Sequence, residues 1–407
     1  MTITCGIDWA EAHHDVALMN DKGYVVARAR IDTGLMGFTE LMALLVEHAG
    51  DPRSVPVAIE TDKNLVVVAL QAAGVIVFPI NPRAVARYRE RHGQSGKKSD
   101  PGDAAMLADV LRTDIHQHRP LPAISESARA VKALARQHQE AIWAVHQTTN
   151  RLRSVLLEFY PQALQAFPNL KHKAALTILA AASTPELGSK MTARRIVTLL
   201  HRCGRRNDDA LVQQILTDLK TPAIRQPAAV EAALGLAVVG PLGIITAMHA
   251  SISQLEDAMT VEFDKHPQAA ILQSAPGLGT VLASRILAEV GDDPTRFATA
   301  DGLRAFTGTA PVTRASGKGR WVGARRVRNK RLGDACHWWA FAMLTKSPGA
   351  RAHYDRRRAA GDHHNAALRN LANKLLGRLW WCLQHNEGWD DQAAWPHYAA
   401  APTMHAA

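Results

Sequence analysis

The chain has 407 residues, of which 47% are apolar, so it is long enough for two or three domains and is not a wholly disordered protein. Its 48 Lys and Arg residues exceed 37 Asp and Glu residues, which makes the formal net charge +11. Residues 1–120 carry 13 basic and 15 acidic groups, so the remaining residues, 121–407, carry +13. A polyanion bound by the C-terminal part is the first partner to consider, although basic surfaces also occur on proteins that bind no nucleic acid.

The cysteines and the apolar segments bear on the compartment. The four cysteines lack the spacing of a zinc site or a disulfide framework, which favours the reducing cytoplasm. The first residues, MTITCGIDWAEAHHD, become charged too early for a signal peptide. Residues 232–250 are long enough to raise the question of a membrane span, but Pro241 and three glycines favour a buried helix instead.

The first 120 residues alternate between strand and helix patterns. The runs ITCGIDWA, DVALMN and YVVARARI predict three consecutive antiparallel strands. GFTELMALLVEHAG has the apolar spacing of a helix that ends at Gly50. VPVAIET and VIVFPIN predict two more strands, separated by the helix NLVVVALQAAG. The order βββαβαβ, followed by helices, indicates a mixed sheet flanked by helices.

Two heptad patterns mark the middle of the chain as helical. The first is a seam of alternating three- and four-residue steps, formed by Val131, Leu134, His138, Ala141, Val145, Thr148, Leu152, Val155 and Phe159. The second is formed by Ile245, Met248, Ile252, Leu255 and Met259. Two such helices form either an antiparallel hairpin within the chain or a contact between chains, and an ordinary helical core explains the pattern equally well.

From about residue 267 the pattern changes again. SAPGLGTVLASRILAEVGD predicts a short helix, a glycine hairpin and a second helix. The segment 311–331, PVTRASGKGRWVGARRVRNKR, contains eight basic residues and no acidic one. Two apolar helices follow, each with an adjacent pair of tryptophans that we expect in the core: Trp338, Trp339, Trp380 and Trp381. The tail after Trp389 is expected to fray.

Four carboxylates of the first domain are candidates for chemistry. Asp8 lies within the first predicted strand and Glu60 closes the fourth, where a buried acid must be paired, bound to metal or exposed at a strand end. In KKSDPGDAAMLADVL, Asp100 and Asp103 share one face of a helix start, where each is also explained as a stabilising cap. Together the four suit hard divalent cations, two of which stabilise both reacting oxygens in phosphodiester cleavage.

The same motifs carry a resemblance to a known family. GIDWA, AIET and KSDPGDA resemble the DEDD insertion-sequence recombinases, the transposases often called the IS one-ten family. The resemblance implies an RNase H-like (RuvC-like) fold and a catalytic, metal-binding tetrad of Asp8, Glu60, Asp100 and Asp103, with Mg²⁺ or Mn²⁺ as cofactor. Glu11 and Asp15 are less attractive as ligands, because they fall where the strand pattern gives way to a turn.

The C-terminal part is similar to the second domain of this family. QSAPGLGTVLASRILAEVGD and FATADGLRAFTGTAPVTRASGKGR resemble its helix-hairpin-helix-like start and its Pro…Ser-Gly loop, and the family's serine nucleophile maps to Ser316. The resemblance covers about residues 1–155 and 267–385. We therefore divide the chain into an α/β RuvC-like domain, a helical coiled-coil region, a helical basic transposase domain and a tail, at residues 1–122, 123–266, 267–388 and 389–407.

The surroundings of Ser316 suit a nucleophile that attacks a phosphate. Serine needs a base, a metal or a positive environment to react, and the glycines on either side of Lys318 let the backbone approach a phosphate closely. The flanking basic residues are Arg314, Lys318 and Arg320. The remaining basic residues are expected to contact the sugar-phosphate backbone, and they are Arg325, Arg326, Arg328, Lys330 and Arg331. A basic loop that only binds phosphate explains the segment as well, and Trp321 either stacks on a base or packs.

The resemblance implies an insertion-sequence transposase that cuts and rejoins donor and target DNA through a covalent phosphoserine. It further implies a non-coding guide (bridge) RNA, and strand exchange at two sites implies a homo-oligomer, a dimer or a tetramer. The expected location is the bacterial cytoplasm, on the nucleoid. Two alternatives stay open. A metal-only RuvC-like nuclease or Holliday-junction resolvase would not need Ser316, and a non-catalytic nucleic-acid-binding protein would not need the tetrad.

Overall fold

The computed structural model describes residues 2–92, 100–205, 208–317 and 319–396, with the side chains of residues 91, 92 and 100 outside the description. The chain divides into two compact units, Met1–Ala123 and Ile124–Ala407. The first unit combines a sheet with helices, whereas the second is mostly helical.

The first unit is built on a five-stranded mixed sheet. Its elements are β1 (Ile3–Trp9), β2 (His13–Asn20), β3 (Val25–Asp32), α1 (Leu35–Ala49), β4 (Val57–Ile59), α2 (Leu65–Ala72), β5 (Val77–Pro79), α3 (Pro82–His92) and α4 (Asp100–Asp114). The strand order is β3-β2-β1-β4-β5, in which β1, β2 and β3 are antiparallel while β4 and β5 run parallel to β1. The predicted element order and mixed sheet are therefore confirmed, as is the end of α1 at Gly50.

The two faces of the sheet are covered differently, and this difference positions α4. Cys5 and Ile7 of β1 belong to a core shared with α1 and α2. On the opposite face, the Thr4 hydroxyl donates a hydrogen bond of 2.9 Å to the carbonyl of Ala108 in α4. A Cβ atom at Gly6 would lie 2.0 Å from the carbonyl oxygen of Ala104. The missing side chain at position 6 therefore lets α4 lie directly against β1.

Replacing Gly6 with alanine is expected to destabilise the first unit. The obstacle is helix backbone, so α4 must move, and overpacking of this kind costs about 1–3 kcal/mol of unfolding free energy. Chemical denaturation followed by circular dichroism measures the loss. Gly240→Ala is the control, because that helical glycine has open space around it and the change should be neutral or stabilising. Unchanged stability of the Gly6→Ala protein would contradict the close approach of α4.

The second unit contains fourteen described helices and one β-hairpin. Its elements are α5 (Glu126–Phe159), α6 (Pro161–Ala166), α7 (Lys173–Ala181), α8 (Pro185–Ser189), α9 (Ala193–Arg202), α10 (Asp209–Lys220), α11 (Ala228–Asp264), α12 (Ala269–Ser274), α13 (Thr280–Val290), α14 (Ala300–Thr307), β6 (Val312–Ser316), β7 (Gly319–Gly323), α15 (Lys330–Lys346), α16 (Pro348–Ala359), α17 (His364–His385) and α18 (Asp391–Ala394). One hydrophobic core lies among α5, α7, α9, α10 and α11, and another lies among α13, α15 and α17.

The two heptad seams meet inside the chain. Helices α5 and α11 run antiparallel, since His138 Nε2 lies 2.8 Å from Glu256 near the end of α11, while Gln226, just before α11, donates to the carbonyl of Glu158. The buried positions of both seams lie in this intramolecular interface, and the more deeply buried ones are Val131, His138, Val145, Leu152, Phe159, Ile245, Ile252 and Met259. The other positions of the α5 seam are only half-buried, because α13 and α6 also cover α5 and widen its buried face.

The apolar segment 232–250 lies within α11. Of the described helices, α11 is long and apolar enough to cross a membrane by length and composition, and 28% of its most apolar stretch is buried. Ile245 faces the core, whereas Leu236 and Ile244 on the other side are exposed. The prediction of a buried helix therefore holds for one face only.

Three details of the C-terminal part differ from the sequence-based expectations. The segment predicted as a loop forms the antiparallel hairpin β6–β7, which has no apolar alternation because both of its faces are exposed. The described start of the tail, up to residue 396, is anchored, since Trp395 is only 3% exposed and lies against Gly349, whereas residues 397–407 lie outside the described residues. Of the tryptophans expected in the core, Trp339 is fully buried, but Trp338 is 48% exposed.

Candidate active site

Asp8 and Glu60 lie side by side at the C-terminal ends of two neighbouring parallel strands, β1 and β4. Ile7 of β1 lies opposite Ile59 of β4 in the sheet register, so Asp8 and Glu60 are the next residues along each strand. Neighbouring strands are about 4.8 Å apart. Because side chains alternate along a strand, Asp8 points to the face that Gly6 leaves open to α4. The two acids therefore lie where the C-terminal ends of β1 and β4 meet, and Asp8 lies on the face of the sheet that α4 covers.

Asp103 reaches the same place from the first turn of α4. It immediately precedes Ala104, the residue whose carbonyl lies against Gly6, and its side chain is buried. The three acids share a cleft of about 370 Å³, which is lined by Asp8, Trp9, Ala10, Glu60, Pro82, Val85, Ala86, Arg89 and Asp103. Asp100 begins α4, but its side chain lies outside the described part of the chain, so its place in the cleft stays a prediction.

Arg89 of α3 also lines the cleft, and sequence analysis missed it. Its guanidinium donates a hydrogen bond to the carboxylate of Asp103 and forms an ion pair with it. Among the described side chains, no group of three or more His, Cys, Asp or Glu residues is close enough together to hold a metal ion. The available signal was spacing, because Arg89 follows the buried Val85 by four residues and so shares its helix face.

The chemistry of the cleft nevertheless fits a hard divalent cation. Carboxylate oxygens are the ligands that Mg²⁺ prefers, and three carboxylates line this cleft. A buried carboxylate needs a compensating positive charge, and Arg89 supplies it to Asp103. Asp8, Glu60 and Asp103 are therefore the described residues whose chemistry suits such a cation.

The expectation that Asp15 lies at a turn, which counted against it as a metal ligand, is wrong. Asp15 belongs to β2 and stands directly opposite Asp8 in the antiparallel register. Arg30 of β3 donates to both of its carboxylate oxygens, at 3.2 and 2.9 Å. This ion pair within the sheet accounts for the buried charge of Asp15.

Ser316 ends β6 at the tip of the hairpin. It pairs with Gly319, and Gly317 between them has a φ of 55°, in the left-handed region that favours glycine. Ser316 is exposed, and its hydroxyl has no hydrogen bond to any residue that the structure describes. Lys318 lies outside the described residues. The hairpin therefore presents the hydroxyl to solvent, and its described residues supply no general base.

The predicted phosphate-binding residues differ in what they already contact. Arg314 lies across the hairpin from the exposed Trp321, with its guanidinium carbon 5.7 Å from the ring centroid. Arg331 is ion-paired with Glu140, and Arg328 lies against Gly308. Within the described ranges, four of the set have neither an ion pair nor one of these contacts: Arg320, Arg325, Arg326 and Lys330. These four are the better candidates for contacts with phosphate.

A buried ion pair fixes the end of the basic segment. Arg136 of α5 donates to both carboxylate oxygens of Glu289 in α13, at 2.7 and 3.0 Å, and Asn329 donates a third hydrogen bond of 2.7 Å. Burial alone raises the pKa of Glu289, but these donors and the charge of Arg136 bring that pKa below its ordinary value. Asn329 also caps α15 by accepting from the amide of Leu332. The charged pair therefore holds the base of the segment that carries Ser316.

Comparisons with known proteins identify the family of the chain. A family model of DEDD transposases of the IS110 type matches residues 5–161, which contain the four acids, and a model of the IS116/IS110/IS902 transposase family matches residues 269–355, which contain Ser316. The transposase assigned to the IS117 mini-circle of Streptomyces coelicolor is 46% identical, over 100% of this chain and 99% of that protein.

More distant relatives also come from insertion elements. An uncharacterised 43.6 kDa protein of element IS110 from Streptomyces coelicolor is 32% identical over 69% of each chain. An uncharacterised 42 kDa protein of element IS900 from Mycobacterium paratuberculosis is 28% identical over 93% of this chain and 94% of that protein. With its two family regions matched and a relative 46% identical along its whole length, the chain belongs to the IS110 family of transposases.

Proposed function

We propose that this transposase cuts and rejoins DNA strands with Ser316 as nucleophile and the acid cleft as a metal site. The observation that carries the proposal is the meeting of Asp8, Glu60 and Asp103 in one cleft, although they come from three separate elements. The sheet order β3-β2-β1-β4-β5, with two strands parallel to β1, supports an RNase H-like fold for the first unit. The domain division at residues 122, 266 and 388 is part of the same proposal.

In the acid cleft, Asp8, Glu60 and Asp103, together with Asp100, would hold Mg²⁺ or Mn²⁺. The bound cation would stabilise negative charge that develops on phosphate oxygens. To hold the cation, Asp103 would have to give up its ion pair with Arg89, and the guanidinium would then be available within the same cleft. A guanidinium is well suited to donate to phosphate oxygens, so Arg89 would help to hold the DNA backbone there.

At the hairpin, the Ser316 oxygen attacks the scissile phosphorus. A bond from the serine oxygen to phosphorus forms and the bond from phosphorus to a DNA oxygen breaks, while the proton lost by the serine hydroxyl is balanced by the proton that the leaving DNA oxygen takes up. The phosphoserine conserves the phosphodiester bond, so a DNA hydroxyl can later attack it and release the serine. Arg320, Arg325 and Arg326 would contact the backbone on either side. Trapping of the covalent adduct tests this proposal and is described in the Discussion.

A non-coding guide RNA that pairs with donor and target DNA is also part of the proposal. Its support is the family resemblance together with the net charge of +13 on residues 121–407. Basic charge attracts either nucleic acid, so charge does not choose between DNA and RNA. Sequencing of the RNA that copurifies with the chain from cells carrying the element should recover a transcript of the element, and recovery of bulk cellular RNA alone would count against a guide.

We expect the active species to be a homo-oligomer, because strand exchange at two DNA sites needs more than one active centre. A substitution in the heptad seam would not separate assembly from folding, because Leu152 is 0% exposed in the α5–α11 core and Leu152→Asp is expected to unfold the second unit. Light scattering of the parent chain with DNA bound should therefore give at least two copies of the 44.3 kDa protein. A complex that carries out strand exchange with a single copy of the protein bound to DNA would contradict this expectation.

A further inference from the structure

Helix α9 carries a basic surface that no predicted site includes. The helix lies between the segments matched by the two family models, which end at residue 161 and resume at residue 269. Residues 187–207 contain six Lys and Arg residues and no acidic residue. This density of one sign of charge is unusual for a segment that only has to remain soluble, since mixed charges serve that purpose.

The charges of α9 lie on one face. Arg194, Arg195 and Arg202 are exposed, and at 100° per residue they fall within a sector of about 100° of the helix circumference. The opposite face is apolar and buried, with Ile196 and Leu200 in the hydrophobic core of the middle region. Arg194 and Arg202 are eight residues apart, so the charged face spans about 12 Å along the helix axis.

Stability of the helix does not explain this face. Arg194 and Arg195 are in the first turn, where positive charge opposes the helix dipole. The first turn is already capped by Thr192, whose hydroxyl accepts from the amide of Arg195 at 3.3 Å. In the part of the chain that the structure describes, neither these two residues nor Arg202 forms an ion pair. The charges are therefore left for a partner outside the chain.

The basic surface continues onto the neighbouring helix α7. Cys203, directly after α9, lies 3.1 Å from the hydroxyl of Thr177 and 3.6 Å from the carbonyl of Lys173 at the start of α7. Lys171 and Lys173 therefore stand near the C-terminal end of α9. After burial, the charge of Lys171 is the next cause that lowers the pKa of both His146 and His249, so the positive potential reaches α5 and α11 as well.

We propose that this surface, the α9 face, binds the sugar-phosphate backbone of a nucleic acid during transposition. The α9 face is defined by Arg194, Arg195, Arg202, Arg205, Lys171 and Lys173. Exposed guanidinium groups without partners donate to phosphate oxygens and displace counterions, and such contacts hold a nucleic acid without reading its sequence. The phosphodiester backbone is common to DNA and RNA, and the binding experiment separates the two.

The test compares two double variants that remove the same charge. Arg195→Gln with Arg202→Gln alters the α9 face, and Lys22→Gln with Arg129→Gln alters exposed residues outside it. Binding is measured by fluorescence anisotropy with single-stranded RNA, single-stranded DNA and duplex DNA, at several salt concentrations and in EDTA. Because EDTA removes divalent metal, failure of the proposed catalytic site would not affect this result.

We expect the α9 variant to bind at least one probe roughly tenfold or more weakly at 0.1 M salt. Its slope of log K against log salt should be lower in magnitude by about 1.4 for a single strand or about 1.8 for a duplex, for two lost phosphate contacts. A loss confined to RNA assigns the face to RNA, and a loss confined to DNA assigns it to DNA. Affinities and slopes equal to those of the control variant, for all three probes, would overturn the proposal.

A second measurement does not depend on variants. Photo-crosslinking of the parent chain to probes that contain thiouridine or thiothymidine, followed by mass spectrometry, should identify a peptide within residues 190–205 or 171–173. Crosslinks that map only to other segments would also overturn the proposal. Both double variants should unfold at the temperature of the parent, because the altered side chains are exposed and have no ion pair with a described residue.

Discussion

The Ser316→Ala protein is expected to form no covalent adduct with DNA while it folds and binds nucleic acid like the parent. Ser316 is exposed, and its hydroxyl has no hydrogen bond to a described residue, so removal of one oxygen breaks no contact that supports the hairpin. If the segment only bound phosphate, the change would cost at most about 1 kcal/mol for one hydrogen bond. If Ser316 is the nucleophile, the change removes the reaction, because no covalent intermediate can form.

The measurement is a protein–DNA adduct that survives denaturation on a gel. Thr313→Ala is the matched control, since Thr313 is an exposed hydroxyl residue on the same strand, and its adduct should persist. Ser316→Cys keeps a nucleophilic atom in place with altered reactivity. Other serines are poor substitutes, because Ser284 is fully buried and the Ser274 hydroxyl bonds the carbonyl of Ile271 and the amide of Trp389.

Two outcomes would change the assignment of the nucleophile. An adduct that persists in the Ser316→Ala protein, together with recombination, would place the nucleophile elsewhere in the chain. Cleavage without an adduct in either protein would favour the resolvase-like alternative, in which the acid cleft activates water. The binding data for the same proteins separate a lost reaction from a lost contact with DNA.

The second large effect is expected in the acid cleft, where Asp8→Asn or Asp103→Asn should abolish strand cleavage. Each amide keeps the size of the side chain but removes the negative charge that a divalent cation needs. Loss of metal stabilisation worth several kcal/mol corresponds to a fall in rate of roughly 10³-fold or more. DNA binding should be largely retained, because the Ser316 hairpin and the basic segment are unchanged.

Cleavage of labelled DNA with Mg²⁺ or Mn²⁺ measures this effect. Asp15→Asn is the matched control, since Asp15 lies opposite Asp8 in the sheet but is held by Arg30, and it should retain cleavage. Arg89→Gln is the companion variant. It removes the cation that competes for Asp103, so the chain should bind Mn²⁺ more tightly in the absence of DNA. Full cleavage activity of Asp8→Asn or Asp103→Asn, or undiminished cleavage by the parent in excess chelator, would contradict the assignment of a metal site.

The local elements of this protein were predictable because their causes are local. Strand alternation, helical spacing and the glycine at position 50 are properties of short stretches, and they predicted the order βββαβαβ that the structure has. The hairpin at residues 312–323 was missed for a physical reason. Because both of its faces are exposed, its strands have no apolar alternation to detect.

The sequence also indicated which acids could act together. It did so only through the family resemblance and through the positions of these acids in the predicted strands and helix. It predicted that Asp8 lies within the first strand and that Glu60 closes the fourth, yet 52 positions separate them in the chain. Their adjacency depends on β4 pairing parallel to β1, and no local pattern encodes which strands pair. Likewise, the approach of Asp103 depends on the missing side chain of Gly6 beneath α4.

By itself, then, the sequence determined the elements, the charge distribution and the family resemblance, because each depends on residue type and short spacing. Only the tertiary structure decided which residues pack against or pair with each other. It joined the two heptad seams within one chain, paired Asp15 with Arg30 and placed Arg89 on Asp103. A heptad seam or a buried acid indicates that a packing or ion-pair partner is required, but many residues of the chain could serve as that partner. The choice among them is made by packing and charge compensation between segments distant in sequence.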